Sequence, residues 1–439
     1  MSKTLAEIAQ QLKDANKKVQ LIYAFNGSGK TRLSREFKQL ISPRNDIEEG
    51  TDGEDETVPS RNKFLYYNAF TEDLFYWDND LESDAEPKLK IQPNTFTDWL
   101  ITLLKDLGEY DNIVTNFQRY TSDKVTPVFN EEYKYKDTDH DGKLIEKTVH
   151  AYSEITFKVA AKPSEKFNNA SVTRNDDNVV VEGKYERIKI SKGEESNFVW
   201  SVVYTLLEQV VSTLNEPDFT NRITNKFDQL EYVFIDDPVS SLDDNHIIEL
   251  AVDLAVLVKS SNSDLKFVIT THSPLFYNVL CNELNNKTYD EQPDGTYKRT
   301  YNPDNELKKY RLDKKADGLF QMIVQRTDSP FSYHLFLLSE IQSAVKSGQI
   351  RKYHFNFLRN ILEKTATFLG YNYWTALLPK TEGEKPDPFA TRILHLSSHS
   401  AHSGEEIADI EDKDKEKLND LVNYLIKTYG YRRQEEQHG

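Results

Sequence analysis

Val19-Gln-Leu-Ile-Tyr-Ala24 runs without a break into Phe25-Asn26-Gly27-Ser28-Gly29-Lys30-Thr31, and the reading of the whole chain turns on this stretch. The first six residues, mostly apolar and β-prone, predict a strand; the Gly/Ser run predicts a tight loop, and residues 31–40 a helix. A strand, a glycine loop and a helix in series is the arrangement in which backbone N–H groups wrap a phosphate and the helix N-terminus favours its charge. Lys30 is then placed to reach the β- and γ-phosphates of a nucleotide, and the Thr31 hydroxyl to bind Mg2+. Asn26, Gly27, Ser28, Gly29 and Arg32 complete the expected cofactor-binding set. Ala24 replaces the first glycine of the general pattern, so on its own the stretch also fits a chance loop.

Companion motifs separate the two readings. Tyr232-Val-Phe-Ile-Asp236-Asp237-Pro238 is an apolar strand ending in two acids: Asp236 suits the magnesium shell, and Asp237 the polarising of an attacking water. Alone, it reads equally as a buried strand with a solvated turn. Ser240-Ser241-Leu242-Asp243 follows at once and resembles the dimer-facing loop of ABC ATPases. Thr270-Thr271-His272-Ser273 sets His272 where the switch histidine of that class senses the γ-phosphate. Ser191-Lys192-Gly193-Glu194, at a helix start, resembles the ABC signature loop and departs from its usual Ser-Gly-Gly-Gln at Lys192 and Glu194. In ABC machines this loop meets the γ-phosphate held by the opposite subunit. The resemblance therefore implies GTP or ATP with Mg2+ as cofactors, and a head-to-tail homodimer or higher homo-oligomer. Asp237 stands where a glutamate is usual and is one methylene shorter, which bears on how water is positioned.

The 439 residues are enough for two or three domains, each with its own core. With 38% hydrophobic and 29% charged residues, no apolar run near ~18 residues and no apolar N-terminal core, the expectation is a cytoplasmic protein without membrane contact. The single cysteine, Cys281, excludes an internal disulfide framework and a cysteine-rich zinc site. A net charge of −17 argues against non-specific coating of nucleic acid, which needs a broad basic surface, but leaves room for a local basic groove. Residues 42–61 read as a flexible acidic loop, and helices over 96–107 and 111–120 as a helical arm. Strand patterns over 133–136, 152–160, 178–181 and 185–190 predict a β-rich insert. Within it Asp137-Thr-Asp139-His-Asp141-Gly142 resembles the opening of a calcium loop; its twelfth position is Thr148 and no helices flank it, so a hairpin turn is expected. Helix 194–214, strand 231–235, helix 246–259 and strand 265–270 predict a mostly parallel sheet, and from residue 333 the pattern turns helical.

In that last stretch Arg359 and Glu363 lie one turn apart on one helix face, which by spacing alone is a surface ion pair worth ~0.3–0.5 kcal/mol. His395, His399 and His402 cluster among serines, with no cysteine or well-placed acid to complete a zinc set. A solvated loop and a proton-transfer site both remain open. Arg, Glu and His together can cleave RNA without a metal: one group takes the 2′-hydroxyl proton, the arginine stabilises the phosphorane, and another group protonates the 5′ leaving oxygen. The products are 2′,3′-cyclic phosphate and 5′-hydroxyl ends.

The chain as a whole resembles the PrrC family of bacterial anticodon nucleases. The likeness covers residues 21–35, 66–80, 191–197, 232–246 and 271–277, then Leu358-Arg359, Glu363-Lys-Thr-Ala366, Phe368-Leu-Gly-Tyr371 and Ser398-His399-Ser400. The resemblance implies that Arg359, Glu363 and His399 are the catalytic triad, with His395 and His402 as bystanders. It implies that a tRNA, typically a lysine tRNA, is cut in its anticodon loop. It also implies an anti-phage toxin held silent in a complex with a type I DNA restriction-modification enzyme until phage attack releases it. Residues 325–330 correspond to the family's anticodon-reading segment, shortened here, where Asp328 is the matching recognition acid or Arg326 takes that place. The expected fold is α/β: an ABC-type P-loop NTPase head over 1–280 with a helical arm and β-rich insert at about 81–190, a linker and substrate-recognition segment over 281–332, and a mainly helical ribonuclease domain over 333–439. The insert is longer than the family pattern. Two other functions compete: an SMC-like ATPase acting on DNA, against which the lack of sustained heptads over 41–190 counts, and a regulatory NTPase subunit that gates another nuclease.

Overall fold

The computed structural model describes residues 2–43, 63–68, 74–78, 87–121, 123–138, 143–160, 185–239, 242–292, 294–315, 317–325, 333–380, 385–388, 390–391 and 410–431. The chain divides into two compact units, residues 1–330 and 331–439. In the first, β1 (Val19–Ala24), β2 (Phe64–Asn68), β3 (Tyr232–Asp236), β4 (Lys266–Thr271), β5 (Leu307–Lys314) and β6 (Phe320–Val324) form one sheet in the order β6-β5-β1-β4-β3-β2. Only the β5–β6 pair is antiparallel. Every residue of β1 is buried, as an interior parallel strand covered on both faces requires. The register sets Tyr23 beside Thr271 and Asp236 beside Thr270, so the C-terminal ends of β1, β4 and β3 meet at one edge.

The longer helices described in this unit are α1 (Leu5–Ala15), α2 (Lys30–Ile41), α3 (Thr95–Asp106), α4 (Tyr110–Tyr120), α5 (Lys192–Asn215), α6 (Asp244–Ser260) and α7 (Pro274–Leu284). On one face of the sheet Ile8 and Leu12 of α1 and Leu33 and Phe37 of α2 pack with Ile22, Phe234, Val268 and Leu312. On the other, Trp200 of α5 meets Tyr67, and Tyr277 of α7 meets Tyr23. A second, antiparallel sheet joins Phe75–Asp78, Lys88–Ile91, Glu154–Ala160 and Val125–Phe129, with Tyr185–Ile188 also paired to Glu154–Ala160. Phe117 of α4 and Phe157 of this sheet both abut Phe198 of α5. Helix α4 and the second sheet therefore pack over α5. Covered from both sides, α5 is buried all round from Glu195 to Leu207.

Residues 281–332 depart from the expected linker. Leu307, Tyr310 and Leu312 are buried, and β5 pairs with β1 over six residues, so this stretch supplies a third of the main sheet's strands. The strand Tyr133–Thr138 pairs antiparallel with Leu144–Val149, flanking the calcium-like sequence; its residues 139–142, the acidic stretch 44–61 and the expected strand 178–181 lie outside the described residues. Among the described residues no group of three or more His, Cys, Asp or Glu is placed to hold a metal, and no helix is long and apolar enough to cross a membrane.

In the second unit α8 (Tyr333–Ser347), α9 (Lys352–Leu369) and α10 (Asp412–Tyr429) surround a core that includes Leu337, Ile341, Leu358, Ile361, Leu362, Leu421 and Leu425. Gly370, at φ 78, ends α9 in the left-handed conformation that a glycine tolerates best.

Candidate functional site

At the shared strand edge the loop from Phe25 to Gly29 curls through positive φ at Gly27 (75°) and Gly29 (94°). A Cβ on Gly29 would also lie 3.0 Å from the Phe320 ring of β6. The N-terminus of α2 carries no side-chain cap, so its first N–H groups are left for an anion. Lys30 is buried, its Nζ 3.2 Å from the Ala24 carbonyl, 3.3 Å from Asn26 Oδ1 and 3.5 Å from Asp237 Oδ2.

Two carboxylates end β3 and are held differently. Asp236 accepts from the Thr31 hydroxyl at 2.8 Å, from the Thr270 hydroxyl, and from the Tyr66 hydroxyl at 3.2 Å. Burial and the Asp236 charge push the Tyr66 hydroxyl up to about 12, so it stays a donor. Asp237 adopts φ 57, and its N–H donates to the Thr270 carbonyl at 2.9 Å, which turns its side chain across the end of β4. There Oδ2 meets His272 Nδ1 at 2.5 Å, while Oδ1 accepts from the His272 N–H at 3.2 Å and the Thr271 hydroxyl at 3.3 Å. Burial raises this carboxyl, but hydrogen bonding from His272 and the Lys30 charge outweigh it and hold it below the usual carboxylate range. With Nδ1 turned to Asp237, Nε2 is the ring nitrogen that remains for a ligand.

These residues fit a magnesium nucleotide: the glycine loop and open α2 terminus suit phosphates, and the Thr31 hydroxyl and Asp236 carboxylate already lie side by side. Arg32 follows on α2, exposed. The Ser191 hydroxyl accepts from the Glu194 N–H at 3.3 Å and the Ser191 N–H donates to Glu194 Oε2 at 2.7 Å, closing a capping box at the start of α5. Lys192 pairs with buried Glu195 at 2.8 Å, and Glu195 also accepts from the Trp77 indole at 2.8 Å, which anchors the loop to the second sheet. Gly193 has no heavy atom within 4 Å of a built Cβ. Asp243 caps α6 by accepting from the His246 N–H at 3.0 Å; Ser240 and Ser241 lie outside the described residues. Sequence reasoning missed Tyr66, Thr270, Thr271 and Phe320. Thr270 and Thr271 carried a signal, since residues at the ends of adjacent parallel strands face one crevice.

In the second unit Arg359 Nε donates to Glu363 Oε1 at 2.8 Å along α9, and the guanidinium stands 5.6 Å over the Trp374 ring. His399, His395, His402, Arg326 and Asp328 lie outside the described residues, so the pair is the part of the expected triad on view. On the adjoining face of α9, Asn360 meets His334 Nε2 at 3.2 Å, a contact with no sequence signal.

Fold and crevice together define a mixed α/β protein whose parallel strands converge on a phosphate-type loop. A curated relative from Escherichia coli named "Anticodon nuclease" is 48% identical over 457 residues, spanning 100% of this chain and 100% of the relative. The chain belongs to the anticodon nuclease family. No protein-family model matches it. Among solved structures, an SmcHead bound to the C-winged helix domain of ScpA is 11% identical, covering 71% of this chain and 91% of that one at a TM-score of 0.28. An Smc head domain with an extended coiled coil bound to the C-terminal domain of ScpA, derived from Pyrococcus furiosus, is 12% identical, covering 56% and 41% at a TM-score of 0.23. Scores at that level carry no argument about fold.

Proposed function

We propose that this chain is a nucleotide-gated ribonuclease that cuts tRNA within the anticodon loop. Full-length 48% identity to a relative bearing that activity's name carries the reading. Arg359, Glu363 and His399 do the cutting. Glu363 and His399 share the proton transfers: one removes the 2′-hydroxyl proton, that oxygen attacks phosphorus, the bond to the 5′ oxygen breaks, and the other protonates the leaving oxygen. Arg359 stabilises the charge that builds on the phosphoryl oxygens. The ends left are a 2′,3′-cyclic phosphate and a 5′-hydroxyl, and no metal takes part. Lysine tRNA is the substrate implied, read by Asp328 or by Arg326 in its place.

Control lies in the first unit. Thr31 and Asp236 would hold Mg2+ with GTP or ATP, and the ion supplies neutralisation of phosphate charge. Lys30 binds the phosphates, Asp237 orients water, and His272 senses the γ-phosphate through Nε2. Ser191, Lys192, Gly193 and Glu194, with Asp243, face the nucleotide of a second copy in a head-to-tail dimer. The setting is cytoplasmic anti-phage defence, with a type I restriction-modification complex as the silencing partner.

The test is incubation of the purified chain with total tRNA, Mg2+ and either nucleotide, followed by sequencing gels and sedimentation. Discrete breaks in one anticodon loop and a nucleotide-dependent dimer are expected. Intact tRNA under all nucleotide conditions, or a monomer at saturating nucleotide, contradicts the proposal.

A further inference from the structure

Asp236 is held from both sides by hydroxyls, and one of them has no part in the nucleotide site as it stands. Oδ1 accepts from Thr270 on β4, while Oδ2 accepts from Thr31 on α2 at 2.8 Å and from Tyr66 on β2 at 3.2 Å. Strands β2 and β4 flank β3 in the sheet. Register brings the tyrosine there: β2 and β3 run parallel with Tyr66 beside Phe234 and Asn68 beside Asp236, so by the two-residue period of a strand all four side chains share one face. The Tyr66 ring packs between others on that face, its centroid 6.4 Å from Phe64 and 6.1 Å from Phe234, so its place does not depend on the hydroxyl. The hydroxyl itself has one direction open. Asn68 Nδ2 donates to the Tyr66 oxygen at 3.1 Å, and an ionised carboxylate can only accept, so the single phenolic proton goes to Asp236.

Thr31 and Thr270 alone would satisfy this acid as a structural group. The difference lies in what each donor does when the site is loaded. The magnesium-nucleotide reading gives the Thr31 hydroxyl to the ion, which withdraws it from Oδ2 and leaves Tyr66 as the donor on that oxygen. We propose that Tyr66 is a positioning residue for Mg2+: its hydroxyl holds Oδ2 of Asp236 as Thr270 holds Oδ1, so the carboxylate is fixed across β2, β3 and β4 before the ion arrives. The inference rests on the magnesium-nucleotide reading and names the residue that tunes the metal affinity of that site. Groups that hydrogen-bond a metal's ligands orient them, and losing one lowers metal affinity by about 10- to 100-fold. A phenol suits the place better than an ammonium, because it donates without adding a charge that opposes the cation.

The test uses the full chain loaded with a non-hydrolysable GTP or ATP analogue, with Mn2+ titrated in place of Mg2+ and followed by electron paramagnetic resonance. Tyr66→Phe keeps the ring and its packing and removes the hydroxyl. It should raise the Mn2+ dissociation constant about 10- to 100-fold, with affinity for the analogue in chelator changed by less than about twofold. Hydrolysis by the variant should recover as Mg2+ is raised, a rescue that a folding defect would not show. Mn2+ binding that is unchanged or tighter in Tyr66→Phe overturns the positioning role. An equal loss of analogue affinity with and without metal also overturns it, and assigns the tyrosine to packing. A wild-type chain that binds no Mn2+ when the analogue is present overturns the magnesium-nucleotide reading itself, and this proposal with it.

Discussion

One carboxylate, Asp237, contacts Lys30, Thr271 and His272, so its removal should disturb chemistry more than binding. Asp237→Asn keeps the shape and loses the charge that orients water. Phosphate release should fall by about 10²–10⁴-fold, while filter binding of nucleotide changes far less; unchanged turnover contradicts the role. Gly29 is constrained twice, by φ 94 and by the Phe320 ring. Gly29→Ala adds about 1–2 kcal/mol of backbone strain and should weaken nucleotide binding at least ~10-fold, measured by calorimetry, whereas equal affinity would show that the loop tolerates a side chain. Lys30, Thr31, Asp236, Asp237 and His272 were legible in sequence because each sits at a fixed offset from an apolar strand. Tyr66 was not, since only the sheet order β1-β4-β3-β2 brings its hydroxyl to Asp236, whereas Thr270 and Thr271 were marked by their place at the end of β4 without their carboxylate partners being given.

Among the elements, β1, β3 and β4 announced themselves as apolar runs, and α5, α6, α8 and α9 by helical spacing. β5 did not: Lys308, Lys309 and Arg311 interrupt Leu307-Lys-Lys-Tyr-Arg-Leu-Asp-Lys314, although Lys309 is buried with its ammonium 3.4 Å from Asn285 Oδ1. A lysine whose stem is buried and whose head finds a partner reads as surface in any pattern count. The arm helices were located but their packing was not, because Asn116 of α4 spends its amide on Thr205 and Glu208 of α5, at 2.9 and 2.8 Å. Burial raises the Glu208 carboxyl above its ordinary value, against the pull of Asn116 and Arg119. The folded state therefore binds this proton more tightly than the unfolded chain. That contribution to stability is complete below the ordinary carboxylate pKa of about 4.3 and is lost as pH rises through the raised value. Glu208→Gln keeps an acceptor for Asn116 and removes the loss. Melting should rise on the order of 1 °C at pH 7 and not at pH 4, a small effect because Glu208 is only half-buried; a gain confined to pH 4 has the wrong sign.

At the scale of the molecule each unit has its own hydrophobic core, one built on the parallel sheet and one among α8, α9 and α10. Nucleotide chemistry is proposed for the first and RNA chemistry for the second. Variants should then separate the two activities cleanly. Glu363→Ala and His399→Ala should abolish tRNA cleavage with hydrolysis nearly intact, and Arg359→Lys should fail as well, because an ammonium cannot offer the planar pair of donors that grips a phosphate. His395→Ala and His402→Ala should remain active. The direct measurement is end-group analysis of tRNA cut by the wild-type chain, repeated in chelator once the active state has been reached, with these variants beside it. The account predicts 2′,3′-cyclic phosphate and 5′-hydroxyl ends at one anticodon-loop position, insensitive to chelator and lost with Glu363 or His399; 5′-phosphate ends, or full cleavage by His399→Ala, would contradict it.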